Sequence, residues 1–347
     1  MRRIALVLLM VFPLTNLVSL DLTEGKLKID LNEDNGRFSI IYLDDPAEGS
    51  LSLLYKDDPR TSKISINIDD NVYVLGDSFE FSKEISQIEH GIRILWTSPQ
   101  LEVTQDILFI SSASSNNADG LHIKLKLKNI SQYSSVVAVR YLFDTYLGEE
   151  SNNHFFLSTG RRLTGETELR NNLPDFIVSP ISEDMQSGLQ LMSSAPGITK
   201  PEYIVIANWK RLNDAVWQYS ANAQRTFSSP PYSINDSAVA YYYNPKTLST
   251  GQAYEVNLAL GYYAKTGYSP DYSIRDKEIS SIAEKPETKT EEDVYGSLRS
   301  DIESVRDFLN QIDAILESGE NITDEKLYLL EQIIRNLEQR KSKYAEE

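Results

Sequence analysis

From about residue 26 to residue 263, apolar and polar positions alternate with a period of two, the pattern of strands with one covered face. Lys26–Leu31 alternates, Asn35-Gly36 reads as a type I′ hairpin turn, and Arg37–Leu43 returns. Lys63–Ile68 and Asn71–Leu75 form the next expected hairpin, turning through Asp69-Asp70. Further strands are expected at Ile92–Thr97, Leu101–Ile110, Leu121–Asn129, Val136–Thr145, Gly188–Met192, Tyr203–Asn208, Ser237–Tyr243 and Tyr254–Tyr263. Loops rich in Ser, Asn, Asp and Gly separate them, and no helical period is legible before residue 290. The pattern predicts a mainly β fold, a large antiparallel two-sheet sandwich spanning 21–265.

The period then changes. Residues 266–293 are polar and charged, contain Pro270 and Pro286, and read as a linker. Beyond it, Leu298, Ile302, Val305, Leu309, Ile312 and Leu316 recur at heptad spacing. Ser318-Gly319 ends that helix, Thr323 is placed to cap a second, and Leu327, Leu330, Ile334 and Leu337 form its stripe. Residues 294–347 are thus expected to form an α-helical hairpin or coiled-coil segment. Its apolar stripes need cover, from self-association or a protein partner.

At the other end, Arg2 and Arg3 precede an apolar run, Ile4–Val18, too short and interrupted for a membrane span but suited to a signal peptide over residues 1–20. No other stretch approaches the length of a span, so the mature chain is expected to be periplasmic or secreted, with no transmembrane segment. The chain has no cysteine, which removes disulfides, thiolate metal sites and cysteine nucleophiles from consideration. Its net charge of −17 argues against nucleic acid as a partner. Residues 276–347 carry 19 acidic and 10 basic side chains, about half of that charge, which supports the boundary before the helices.

Common catalytic signatures are absent: there is no HExxH, GxSxG, P-loop or GxGxxG, and no catalytic set, metal site or cofactor motif is assigned. Of the three histidines, His122 shares a strand face with three lysines and His90 precedes a glycine in a turn. His154 follows Glu149, Glu150 and Ser-Asn-Asn in a polar loop just past the Val136–Thr145 strand. That strand places Ala138, Arg140, Leu142 and Asp144 on one face. Arg140 and Asp144 stand roughly 13 Å apart in extended chain, too far to pair, so each needs its own partner if that face is buried. A polar network within the fold satisfies this; so does a polar groove opening near Glu149, Glu150 and His154. The 20 tyrosines and 3 tryptophans offer a second theme. Trp209, Arg211 and Trp217 cluster, and Tyr241-Tyr242-Tyr243 must face both ways on a strand. Flat aromatic and polar groups of this kind hold pyranose rings, and they equally serve as core and rim packing.

Three motifs carry a resemblance: Val137-Ala-Val-Arg-Tyr-Leu-Phe-Asp-Thr-Tyr-Leu-Gly148, Ile204-Val-Ile-Ala-Asn-Trp-Lys-Arg-Leu212, and Ser237-Ala-Val-Ala-Tyr-Tyr-Tyr-Asn-Pro-Lys-Thr-Leu-Ser-Thr-Gly251. Over residues 120–263 the chain resembles exported bacterial β-sandwich proteins of uncharacterised function, and more distantly galactose-mutarotase-type sandwiches. The resemblance implies a sandwich outside the cytoplasm. It brings no catalytic residues, because the two histidines and glutamate of mutarotase chemistry have no visible counterpart. The expectation is a non-enzymatic envelope adaptor assembling through its C-terminal helices, such as an accessory of a periplasmic motility apparatus. The alternative is a carbohydrate-binding or sugar-processing protein that takes a glycan near Arg140, Asp144, Glu149, Glu150, His154, Trp209, Arg211 and Trp217.

Overall fold

The computed structural model describes residues 19–45, 49–57, 60–145, 147–149, 151–183, 185–231 and 235–270. The expected helical hairpin, with Leu298, Ile302, Val305, Leu309, Ile312, Leu316, Leu330, Ile334 and Leu337, lies outside the described residues, as do Glu150 and most of the expected leader and linker.

In chain order the strands are β1 (Ser19–Glu24), β2 (Leu27–Asn32), β3 (Arg37–Tyr42), β4 (Leu51–Ser52), β5 (Lys63–Ile68), β6 (Asn71–Val74), β7 (Ser82–Ile88), β8 (Gly91–Thr97), β9 (Leu101–Ile110) and β10 (Gly120–Asn129). They continue with β11 (Ser135–Asp144), β12 (Phe155–Leu157), β13 (Arg162–Leu163), β14 (Thr167–Arg170), β15 (Phe176–Pro180), β16 (Gly188–Met192) and β17 (Tyr203–Ala207). A short helix, α1 (Trp209–Asp214), precedes β18 (Ala238–Leu248) and β19 (Ala253–Tyr262). The expected body is thus mainly β and antiparallel, but with three sheets rather than two. β1-β2-β3-β4 form one, β13-β12-β15-β16-β19-β10-β9-β8-β7 a second, and β14-β17-β18-β11-β5-β6 a third. Among the described residues no helix is long and apolar enough to cross a membrane.

Cross-strand rows of large apolar side chains explain why the two larger sheets close on each other. In the nine-stranded sheet Ile92, Ile107, Ile123 and Leu258 stand side by side on β8, β9, β10 and β19. In the six-stranded sheet Ile64, Tyr141, Tyr241 and Ile204 do so on β5, β11, β18 and β17. All eight are buried in one core that also takes Leu27, Ile29, Leu31, Phe38 and Ile40 of the small sheet. Each such Leu or Ile contributes about 1.5–3 kcal/mol of burial free energy.

Two local readings need correction. Asn32 and Arg37 are paired, so the first hairpin closes through four residues rather than a two-residue type I′ turn. Asn32 stabilises it by accepting from the amides of Asp34 and Asn35, and Gly36 alone has positive φ, its Cα backed against the Trp96 ring. The two-residue turn occurs at Asp69-Asp70, both at positive φ between the paired Ile68 and Asn71. The second correction is α1: too short to show a period, it is fixed by Asn208, whose side chain accepts from the Arg211 amide.

Candidate functional site

Strand β11 is buried along nearly its whole length because both its faces are covered. Val137, Val139, Tyr141 and Phe143 enter the main core; Leu142 on the other face packs with Tyr203, Val205, Ala207, Leu212, Ala238, Ala240 and Tyr242 under α1, against which Trp209 and Tyr219 also pack. The face assignment made from alternation therefore holds, and Arg140 and Asp144 have separate partners.

Arg140, 1% exposed, donates to the carbonyls of Leu212 (2.6 Å) and Ala215 (3.0 Å), placing a cation at the C-terminal end of α1 where the helix dipole favours it. Its guanidinium also lies 5.4 Å from the Tyr242 ring centre. Tyr242 stacks on Tyr203 at 4.3 Å, Arg170 lies 3.8 Å over Tyr203, and Trp217 meets Tyr242 edge-on at 6.1 Å. Arg211 pairs with Glu166 at 2.8 Å in a nearly fully buried ion pair. Glu166 accepts further bonds from the Tyr219 hydroxyl and the Asn222 amide. Trp209, Arg211 and Trp217 are thus packing and anchoring groups of the segment that runs from α1 to β18. They do not form an open platform.

Asp144 begins a different constellation. It is 5% exposed, its carboxylate accepts from the Thr61 hydroxyl, its amide donates to Ser62 Oγ, and its carbonyl accepts from the Tyr55 amide. Beyond it the chain runs beside residues 235–237. The Thr145 amide donates to the Ser237 carbonyl, and the Ser237 amide donates to Glu149 Oε1 at 2.9 Å. The Asn235 side-chain amide donates to the Glu149 carbonyl (2.5 Å) and to Asn152 Oδ1 (2.9 Å). Its oxygen meets His154 Nε2 at 3.1 Å, which assigns the proton of that ring to Nε2. Among the described residues the buried Nδ1 of His154 has no hydrogen-bond partner, and the ring packs against Phe227 at 4.3 Å.

Asp144, Glu149 and Asp236 consequently lie within electrostatic reach of one another. Burial, reinforced by mutual repulsion, raises Glu149 to about 8 and Asp144 to about 7; burial alone raises Asp236 to about 6. Asp144 is buried, whereas Glu149, Asp236 and Tyr55 are half-buried, and Tyr55 lies within electrostatic reach of Asp144 and Asp236. Burial lowers His154 to about 4, so the imidazole is neutral. Among the described residues no three acidic or histidine side chains are arranged to hold a metal ion.

Of the sequence-derived candidates, the structure joins Asp144, Glu149 and His154 at one place, and sets Arg140, Trp209, Arg211 and Trp217 apart from them under and within α1. Asp236, Thr61 and Tyr55 were not legible from sequence. Asp236 sits directly before a predicted strand, and the Thr145–Ser237 bonds that bring it towards Asp144 have no sequence signature.

No family model matches the chain, and no curated protein matches it. Its neighbours among solved structures are galactose-mutarotase-like β-sandwich proteins. A galactose mutarotase-like protein from Lactobacillus casei has 12% identity and a TM-score of 0.44, covering 71% of this chain and 100% of the other. A galactose mutarotase related enzyme from Lactobacillus acidophilus has 10% identity and a TM-score of 0.42, covering 72% and 98%. A polysaccharide lyase has 10% identity and a TM-score of 0.44; the match covers 74% of this chain but only 34% of the lyase.

Proposed function

We propose that the protein binds carbohydrate, with sugar-processing chemistry, at the Asp144–Glu149–Asp236 cluster. The observation that carries this reading is the gathering of three carboxyls with proton affinities raised to about 7, 8 and 6 and, among the described residues, no cation among their hydrogen-bond partners. Packing alone gives no reason for it, since uncompensated buried carboxylates cost stability. Such perturbed groups are characteristic of functional sites. Near neutral pH, Glu149 holds its proton while Asp236 is largely ionised. The pair supplies a donor and an acceptor to sugar hydroxyls, or an acid and a base to a glycosidic oxygen and its attacking water. Tyr55 and Thr61 furnish the rim and the floor.

Glycan-array screening of the full chain at pH 6.5, followed by titration calorimetry of the best ligand, tests this. Glu149→Gln and Asp236→Asn should each weaken binding about tenfold or more, the loss of one charged or donor hydrogen bond in a desolvated site. Retention of no glycan by the wild-type chain refutes the reading.

A second reading rests on the heptad seam of Leu298–Leu316: an exported envelope protein that uses residues 294–347 for assembly, alongside or instead of glycan recognition. A mature N-terminus near Leu20 or Asp21, read by mass spectrometry of the exported protein, supports the export half. Intact Met1 in a soluble periplasmic fraction contradicts it.

A further inference from the structure

Two interior strands lose their neighbours at the same place, far from the carboxyl cluster in the ladders. β17 pairs with β18 only from Ala238 to Tyr242, and β16 pairs with β19 only from Leu260 to Tyr262. Thr199 extends cover of β19 by one residue, donating its amide to the Asn257 carbonyl at 2.9 Å and accepting from the Asn257 amide on its hydroxyl. Beyond that point both strands have a partner on one side alone.

The alternation of antiparallel ladders decides which backbone groups are left over. The Asn129 amide bonds the Gln252 carbonyl and the Tyr262 amide bonds the Asp119 carbonyl, so even-numbered residues of β19 address β10. Ala253 and Glu255 therefore turn their N–H and C=O groups the opposite way. On β18 the Asp69 amide takes the Val136 carbonyl, which leaves Val137 and Ser135 to bond Lys246 and Leu248 and turns the Thr247 backbone outward. Among the described residues no hydrogen bond engages Thr247, Ala253 or Glu255 on that side. All three face one open trough of about 360 Å³, lined also by Lys246, Gln252 and Tyr254. On the β18 wall Pro245 has no N–H to offer, a common way of blunting an edge. The β19 wall carries no such protection.

We propose that this notch is a strand-addition site, in which an extended segment of another polypeptide pairs with Ala253–Glu255 of β19 and completes the missing strand. The backbones of Ala253 and Glu255 present two donors and two acceptors at strand spacing, which an extended peptide backbone matches. Side-chain alternation fixes the rest of its chemistry. Side chains of the added peptide that lie on the Tyr254 face point into the gap between the sheets, where small apolar residues fit. Residues on the outer face meet Lys124, Lys126 and Lys128 on the adjoining β10, against Glu255 on β19 and Glu102 opposite Lys128, while Lys246, opposite the buried Val137, reaches the trough from the β18 wall. The occupant is accordingly an extended acidic segment with apolar residues at alternate positions, on a molecule whose net charge elsewhere repels acids.

The test is selection from a displayed library of random dodecapeptides against the full chain, followed by residue-resolved amide exchange with the enriched peptide. Acidic, alternating, proline-poor sequences should be enriched, and at saturation the Ala253 and Glu255 amides should exchange about tenfold or more slowly, as a 90% or greater occupied hydrogen bond requires. Lys246→Glu, an exposed substitution that leaves the ladders intact, should weaken binding several-fold; Ala253→Pro, which removes the notch-facing donor, should abolish it. The proposal is overturned if no peptide is enriched, if the bound peptide leaves both amides unprotected, or if Lys246→Glu binds as the wild type does. Protection of the same amides by polygalacturonate but by no peptide would also overturn it, reassigning the trough to an acidic glycan.

Discussion

At the residue scale, the informative side chains are those whose burial has no packing explanation. Asp144 was legible as a charge in need of a partner if its face is buried, and that partner is the Thr61 hydroxyl rather than a cation. Alternation gives the face on which a residue lies but not which distant loop returns to it, so Thr61, Tyr55 and Asp236 could not be found in advance. Each carboxyl of the cluster binds its proton more tightly in the folded state than in the unfolded chain. The folded state therefore holds extra protons from about pH 4 up to its own value, and stability falls across that window as pH rises. Asp144→Asn removes that penalty. Its melting temperature should exceed that of the wild type at pH 8, by an amount equivalent to roughly 1–3 kcal/mol, and should match it at pH 4. A lower melting temperature at pH 8 would mean that the Asp144 charge is compensated after all. Arg211 behaves oppositely: Arg211→Ala leaves Glu166 buried without its cation and should cost about 3–5 kcal/mol in chemical denaturation, whereas Arg211→Met with Glu166→Gln should recover most of it.

At the element scale, the twelve expected strands were read where burial of one face keeps the period of two, whereas β1, β4, β7, β12, β13, β14 and β15 were not found. β9 and β16 match their predicted bounds, β10 differs by one residue at its start, and β11 is shifted by one residue at both ends. Burial on both faces blurred β11 and β18, and what covers them, the α1-to-β18 segment, is held by tertiary bonds to Arg140 and Glu166 that carry no periodic signal. The first hairpin was misread because Asn-Gly is a turn signal that leaves loop length open, and Asn32 claims two further amides. The C-terminal seam belongs to this scale as well. Leu309→Asp with Ile312→Asp should leave the β-type circular dichroism intact while abolishing self-association or partner capture, as sedimentation measures. Unfolding of the whole molecule by that pair would place the helices in the core of the sandwich and end the assembly reading.

At the scale of the whole molecule, a cysteine-free chain holds itself together by one large apolar core and spends little of that interior on charge. Among the described residues, Arg60, Asp106 and Asp119 are buried with Asp30, Arg93 and Ser112 as partners, the Arg211–Glu166 pair anchors a segment and Arg140 closes a helix, whereas no structural task is evident for the Asp144–Glu149–Asp236 cluster. His154 opposes the carboxyls in pH dependence, since it must gain a proton on unfolding below about pH 6.5, but it is one group against three. The melting temperature should therefore rise as pH falls from 8 to about 5.5. The central claim is that Asp144, Glu149 and Asp236 hold their protons more tightly than free carboxyls do, and that they meet a sugar. Carbon-detected NMR titration of the Asp144, Glu149 and Asp236 carboxyls, with and without the best glycan from the array, tests it most directly. The account predicts three midpoints between about pH 6 and 8 that move when glycan binds. Midpoints near 4 that glycan leaves unchanged would contradict it.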